Sequence, residues 1–186
     1  MAQAVTDSTI NSDIQNVKQL IIEHASKHLS LKSDEIEISE VKLGDLPAGV
    51  RQFYVEQKNT SGNITYNYLY WENKLYCSGV DGDLGRFLQD NNFLQKKDLD
   101  AQQFINVFAK LSNFRNRVIK EADLKNPSDE LKLLLDKIAA PKLNYAGGKA
   151  NLEFFTMTPT VFPIQKFSVT VAPDYQVMVN HSFVNP

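Results

Sequence analysis

Apolar residues recur at helical spacing near the start of the chain, and this pattern predicts an amphipathic helix. They are Ile10, Ile14, Val17, Ile21 and, at the far end, Leu31. Ser12 or Asp13 can cap the helix, because either side chain can accept a hydrogen bond from a free backbone N–H. The residues up to Thr9 are small and polar, so we expect residues 1–11 to be disordered.

Alternating apolar and polar residues then predict antiparallel strands. Residues 35–41 form the first, and a loop containing Gly44, Pro47 and Gly49 follows it. Residues 50–79 are interpreted as three strands joined by turns at residues 59–62 and at Glu72-Asn73. The middle strand has Ile64, Tyr66, Tyr68 and Tyr70 on one face and Thr65, Asn67, Leu69 and Trp71 on the other.

Helical spacing returns between residues 86 and 140. A short amphipathic segment contains Phe87, Leu88, Phe93 and Leu94. Asp98 or Asp100 can cap a longer helix, whose apolar face is Phe104, Phe108, Leu111, Val118 and Ala122. Asn126 and Pro127 are the predicted N-cap and first residue of another helix. Its apolar face is Leu131, Leu134, Leu135 and Ile138.

The last third of the chain returns to strand patterns. Gly147-Gly148 interrupts one of them as a hairpin turn or bulge, and Ala172-Pro173-Asp174 separates two others. We therefore predict an α+β fold in a single domain, residues 1–186. It consists of an antiparallel sheet with an N-terminal helix, a helical middle segment (residues 86–140) and a C-terminal β-hairpin region that joins or extends the sheet.

The layout of residues 13–79 resembles that of a known family. Leu46-Pro47-Ala48-Gly49-Val50 matches a proline-glycine stretch, residues 68–75 match a hairpin, and residues 76–79 match a short closing strand. Together with the preceding helix, these segments are similar to the cystatin-like N-terminal dimerisation domain of bacterial periplasmic disulfide isomerases. The resemblance implies a cystatin-like sheet wrapped on a helix, and dimerisation through sheet edges. Those enzymes continue into a thioredoxin-like domain with a C-x-x-C motif, which this chain lacks, so isomerase activity is not implied.

Composition narrows the class of protein. The chain has 186 residues, 42% of them hydrophobic and 23% charged, with a net charge of −2. We therefore expect no nucleic-acid partner. No apolar run reaches the ~20 residues that a membrane span needs. As written, the N-terminus predicts a cytoplasmic protein. If Ala2-Gln3-Ala4 is the remnant of a signal cleavage site, it predicts a periplasmic or secreted one.

Few residues carry candidate chemistry, and no spacing predicts a catalytic residue or a cofactor. His24 and His28 lie four residues apart, so both imidazoles can reach one metal ion, but a pair of partly packed helix residues has the same spacing. Asp81-Gly82-Asp83 resembles the start of a calcium loop whose later ligands are missing, and a turn into the next helix fits better. Cys77 is the single cysteine, which excludes an internal disulfide, and we interpret it as a small buried side chain.

The aromatic face gives two functional hypotheses. We expect Tyr54 to lie beside Tyr66, Tyr68 and Tyr70, and these residues with Trp71 to be the ligand-binding candidates. The first hypothesis is a non-enzymatic binding or interaction module for an unknown protein partner, forming a homodimer. The second is a carrier or enzyme for a small apolar ligand, with an aromatic pocket between sheet and helices and His24 or His28 as an acid–base group. An aromatic cavity containing a histidine and a carboxylate favours the second, whereas a filled core with an exposed apolar patch favours the first.

Overall fold

Helices and antiparallel strands together form an α+β fold, which confirms the predicted class. The computed structural model describes residues 7–41, 46–58, 63–157 and 164–184. In chain order, the elements are α1 (Asp7–Leu29), a 3-10 turn (Ser33–Glu35), β1 (Ile36–Val41), β2 (Arg51–Gln57), β3 (Ile64–Trp71), β4 (Lys74–Cys77), α2 (Asp83–Asp90), α3 (Phe93–Lys96), α4 (Ala101–Leu111), β5 (Arg117–Val118), α5 (Glu121–Lys125), α6 (Asp129–Lys132), β6 (Lys142–Ala146), β7 (Lys149–Met157), β8 (Ile164–Val171) and β9 (Val177–Val184).

The chain divides into two compact units, each with its own sheet. The first unit comprises Met1–Asp83 and Lys110–Asn113, and the second comprises Leu84–Ala109 and Phe114–Pro186. The single domain over residues 1–186 stays a prediction. Residues 2–4, Gly44 and the predicted turn at residues 59–62 lie outside the described residues.

In the first unit, α1 packs against a four-stranded antiparallel sheet with the order β1-β2-β3-β4. The predicted strands are confirmed, and so is the turn at Glu72-Asn73, where both residues have positive φ. The buried residues shared by helix and sheet are Val17, Ile21, Ala25, Leu31, Phe53, Val55, Tyr68 and Cys77. Burial of this apolar surface is what holds the helix on the sheet.

Helix α1 begins at Asp7, so the predicted cap at Ser12 or Asp13 was wrong. Asp13 lies inside the helix, and its carboxylate accepts a hydrogen bond from Arg51 Nη1 at 2.6 Å. The same guanidinium donates through Nε to Glu40 Oε1 at 2.7 Å. Arg51 therefore links α1, β1 and β2 by charge-assisted hydrogen bonds.

In the second unit, β7 is the central strand of a separate five-stranded sheet. β8 and then β9 lie on one side of β7, while β5 and β6 both pair with the opposite edge of β7. The hairpin turn at Gly147-Gly148 is confirmed, and both glycines have positive φ. The prediction that the C-terminal strands join or extend the first sheet was wrong, because these strands pair with one another.

The capping of α4 was predicted correctly, but its length was not. Asp100 Oδ1 accepts a hydrogen bond from the Gln103 N–H at 2.7 Å, as expected of an N-cap. The helix ends at Leu111 instead of continuing through Val118 and Ala122. Asn113 adopts a left-handed φ of 52°, and the Phe114 N–H donates to Ala109 O at 3.0 Å, which is a Schellman ending.

Residues 119–138 pack on one end of the second sheet. Ser128 caps α6, so the predicted N-cap at Asn126 was wrong by two residues. Of the predicted apolar face, Leu135 is 42% exposed. The buried members of this cluster are Ile119, Leu131, Leu134, Ile138, Phe155 and Ile164. Among the described residues, no helix combines the length and apolar character that crossing a bilayer requires.

Candidate functional site

The tyrosine face of β3, formed by Tyr66, Tyr68 and Tyr70, points towards α1. Tyr68 is 0% exposed, and Tyr66 and Tyr70 pack at the edge of the same buried cluster. Register places Tyr68 opposite Phe53, so this face of β2 and β3 forms the layer beneath the helix. The three tyrosines share one face, as predicted, and that face is part of the core.

Tyr54 does not lie beside these tyrosines, and that prediction was wrong. It pairs with Asn67, and directly opposed residues of antiparallel strands share a face, so Tyr54 points away from Tyr66 and Tyr68. Its ring is contacted by Lys110, whose Nζ lies 5.8 Å from the ring centroid. Trp71 also lies on this opposite face. The five candidate residues are therefore divided between two sides of one sheet and do not line a common pocket.

A buried polar network connects α1 to the tyrosine face. His24 Nδ1 lies 3.2 Å from the Tyr68 hydroxyl, and the two rings meet edge to face at 5.5 Å. The Cys77 thiol also lies within hydrogen-bonding reach of that hydroxyl, and its sulfur accepts from the Gly79 N–H at 3.3 Å. We name these residues the His24–Tyr68–Cys77 network. The Tyr68 hydroxyl and the Cys77 thiol, which are both buried, thus each have a polar partner.

The network keeps its phenol and its thiol neutral. Burial raises the pKa of Tyr68 well above its usual range, and the Cys77 thiol beside it adds to this effect. Burial also raises the pKa of Cys77. Because a cysteine attacks as the thiolate, a thiol held neutral and 0% exposed is a poor nucleophile. Cys77 is thus buried, as predicted.

His24 and His28 are arranged for stacking. Their ring centroids are 4.4 Å apart, with an interplanar angle of 29°. The nitrogen lone pairs of stacked rings lie in nearly parallel planes, so they do not converge on one ion. Among the described residues, no three His, Cys, Asp or Glu side chains are grouped so that they could hold a metal ion.

The Asp81-Gly82-Asp83 segment is a turn that leads into α2, as predicted. Gly82 has a φ of 84°, and α2 begins at Asp83. The Asp83 side chain is 3% exposed, and its Oδ2 accepts a hydrogen bond from the Cys77 N–H at 2.7 Å. This carboxylate therefore stabilises the end of β4.

Strand β9, Val177–Val184, presents a different kind of surface, which we name the β9 edge. It pairs with β8 along one side, and no other described strand pairs with its outer side. All side chains from Met178 to Phe183 are exposed, on both faces of the sheet. Val179 is 45% exposed and Phe183 is 56% exposed. The strand contains no charged residue and no proline.

An aromatic ladder supports the β9 edge from the core of the second unit. The Phe154 and Phe167 rings stack at 5.3 Å, and the His181 ring stacks on Phe167 at 5.5 Å. Phe114 packs edge-on against both phenylalanines. The ladder crosses β7, β8 and β9 on one face and ends in solvent at His181.

The turn between β8 and β9 is fixed by Tyr175. This residue has a φ of 63°, which is unusual for a bulky side chain, and its hydroxyl donates to Gln95 Oε1 at 2.5 Å. Its backbone carbonyl lies so close to Gly85 that a Cβ there would come within 2.5 Å of the oxygen. The β9 edge is therefore exposed from Met178 to Phe183, and the turn that precedes it is held by contacts with Gln95 and Gly85.

Sequence reasoning predicted a strand from Val177 and Val179 but assigned it no role. The available signal was the run of eight residues without a charge, since edge strands commonly carry charges that block pairing. That β9 lies at an edge depends on the order of strands in the sheet, which the alternation does not reveal.

Comparison with known proteins gave no match: neither a protein-family model, nor a curated protein, nor a solved structure is similar to this chain.

Proposed function

We propose that this chain is a non-enzymatic interaction module that binds another protein strand through the β9 edge. The observation that carries the proposal is an uncharged edge strand of eight residues, of which the six from Met178 to Phe183 are exposed. The outer side of such a strand presents backbone N–H and C=O groups that can pair with an added strand. Main-chain pairing of this kind is a recurring mode of protein recognition, called β-augmentation.

Side chains on the β9 edge add to the backbone contribution. Val179 and Phe183 lie on the same face and are each about half exposed, so an added strand would cover apolar surface as well as backbone. The aromatic ladder and the anchored turn hold this strand in place before a partner arrives. A pre-organised strand loses less conformational entropy on binding than a flexible one.

The packing of the tyrosine face also favours an interaction module over a carrier or enzyme for a small apolar ligand. Tyr68 fills the space beneath α1, and its hydroxyl is engaged by His24. Tyr54 and Trp71 lie on the other side of the sheet. A filled core together with an exposed apolar strand favours an interaction module over a pocket for a small apolar ligand.

In-cell photo-crosslinking tests the proposal. Phe183 is replaced by p-benzoylphenylalanine, and Ile64, an apolar strand residue with 45% exposure in the first unit, receives the same replacement as a matched control. We expect an adduct of discrete mass from position 183 only, and its loss when Val179→Lys is added. The absence of any adduct at position 183, or equal adducts at both positions, would contradict the proposal.

A further inference from the structure

We infer that the strand that pairs with the β9 edge is β9 of a second copy of this chain, placed antiparallel about a two-fold axis at His181. The inference rests on the proposed function and names its partner. It is carried by the order of side chains along β9, which is self-complementary about His181. Symmetric dimers require this property, because one surface must fit its own copy.

The self-complementary order appears when residues are counted outwards from His181 in both directions. The first residues on either side, Asn180 and Ser182, have small polar side chains. The second residues, Val179 and Phe183, and the third residues, Met178 and Val184, are apolar. In an antiparallel pair centred on His181, Asn180 faces Ser182, Val179 faces Phe183, and Met178 faces Val184. Every pair then joins side chains of like polarity.

Other centres of symmetry fit less well. A two-fold axis perpendicular to the sheet leaves each side chain on its own face of the sheet. One residue must therefore lie directly opposite its own copy, with the axis midway between the two. An axis at Asn180 would place Val179 against His181 and Met178 against Ser182, which mixes apolar with polar side chains. The register centred on His181 is therefore the one the sequence of β9 supports.

Charge also favours a second copy over an unlike partner. A two-fold axis brings identical groups near each other, so a charged residue on β9 would face or neighbour its own like charge. The strand carries no charged residue, although 23% of the chain is charged. The matched pair of Val179 and Phe183 occurs twice, and each pair covers surface that is now exposed. The aromatic ladder would then continue from His181 into the ladder of the second copy.

Sedimentation over a wide concentration range tests whether the dimer forms at β9. We expect the wild-type chain to change from the mass of a monomer, 21.1 kDa, to that of a dimer as its concentration rises. Val179→Lys should weaken dimerisation by about 100-fold, about tenfold for each of the two symmetric charges. Ile64→Lys makes the same change at a residue of equal exposure and should leave the dimerisation constant unchanged. Circular dichroism checks that each variant is folded.

Disulfide trapping tests the register. The native Cys77 is 0% exposed, so oxidation of the unmodified chain should give no covalent dimer. His181→Cys should be trapped efficiently, because directly opposed residues have Cα atoms about 4.5–5.5 Å apart, within the range of a disulfide. Asn180→Cys should be trapped poorly, since in this register its copy lies diagonally, beyond about 7 Å.

Each contrary outcome has a distinct meaning. A wild-type chain that stays monomeric at every concentration, or a dimer that survives Val179→Lys, overturns the inference. Trapping through Asn180→Cys but not His181→Cys overturns the register. Crosslinking of position 183 to a different protein, without a dimer, overturns this inference and leaves the proposed function standing, whereas no crosslink to any protein contradicts the proposed function itself.

Discussion

The edge strands of the two sheets, β1 and β9, occupy equivalent positions but differ in charge. β1 carries Glu37, whose carboxylate lies 2.8 Å from Lys58 Nζ, and Glu40, which pairs with Arg51. A second copy of β1 would bring these charges against like charges. β9 has no charge along eight residues. The first sheet therefore carries charges that disfavour pairing at this edge, whereas β9 carries none and, among the described strands, pairs only with β8.

The interiors of the two units differ as well. Beneath α1, the first unit contains the His24–Tyr68–Cys77 network, in which a buried hydroxyl has partners. The second unit is organised by stacked aromatic rings, and its buried Tyr145 hydroxyl has no hydrogen-bond partner among the described residues. In the first unit, a specific polar contact therefore links the helix to the buried tyrosine of the sheet, whereas in the second unit stacked rings lie beneath the exposed strand.

The largest expected effect comes from breaking the aromatic ladder. Phe167→Ala should lower the free energy of unfolding by about 3–5 kcal/mol, because it removes a buried ring that touches Phe154, Phe114 and His181. Phe167→Leu keeps most of the volume and should cost less than about 2 kcal/mol. Urea unfolding measures the free energy of unfolding of both variants. A loss below about 1 kcal/mol for the alanine variant would show that the ladder does not stabilise the second unit.

A smaller effect is expected where Tyr175 holds the start of β9. Gly85→Ala should destabilise the protein by about 1–3 kcal/mol, because the new Cβ would meet the Tyr175 carbonyl oxygen at 2.5 Å. Without that clash, the same change inside α2 should stabilise the helix by up to about 1 kcal/mol. The sign of the change in thermal unfolding temperature therefore tests the contact.

In the first unit, Gly79→Ala tests a close contact of the same kind as Gly85→Ala. The new Cβ of the alanine would lie 2.7–2.8 Å from the Tyr66 ring and from the end of the Leu29 side chain. Side chains can shift more easily than backbone, so we expect a smaller loss than for Gly85→Ala. An equal or larger loss would indicate that the tyrosine face is as rigid as the turn before β9.

The smallest effects come from removing one buried hydroxyl in each unit. Tyr68→Phe should cost about 1–2 kcal/mol, because it removes a hydrogen-bonded group and leaves its partners less well satisfied. Tyr145→Phe should be nearly neutral or slightly stabilising, since the hydroxyl it removes has no partner among the described residues. Equal losses in urea unfolding would contradict the contrast between the two interiors.

The same pair of variants has a predicted pH dependence. Burial raises the pKa of Tyr68 above its usual range, and burial with the nearby Asp98 charge raises the pKa of Tyr145 to about 12. The unfolded chain loses these protons near pH 10, whereas the folded chain keeps them. The free energy of unfolding of the wild-type chain should therefore be unaffected by these two groups below about pH 10 and should fall as the pH rises further. The destabilisation by Tyr68→Phe should shrink above pH 10, and a constant difference would contradict this account.

Strands and turns could largely be predicted from the sequence, because the alternation of side chains and turn residues such as Gly147-Gly148 are local features. The end of α4 could not, since apolar spacing through Val118 continued the helical pattern. The packing of Phe114 against Phe108 and the left-handed Asn113 outweigh that spacing. Asn113 was the local signal, because asparagine tolerates positive φ better than most residues.

The candidate site depended on pairing between distant residues. Tyr54 lies opposite Asn67, and a shift of one residue in the register between β2 and β3 would place it opposite Tyr66. The alternation of side chains along each strand does not determine this register. The position of β9 at an edge likewise depends on the order of strands in the second sheet, where β8 is the only described strand that pairs with it. The resemblance of residues 13–79 to a cystatin-like dimerisation domain stays a prediction.

The central claim is that the β9 edge is open in the single chain and is filled by a second copy. Amide hydrogen exchange at low and high protein concentration tests it most directly, because outward amides of an edge strand exchange slowly only when another strand pairs with them. We expect the outward amides of β9 to exchange more slowly at high concentration, while those of β1 exchange at the same rate throughout. Equal exchange of β9 at all concentrations, or equal slowing of β1, would contradict the account.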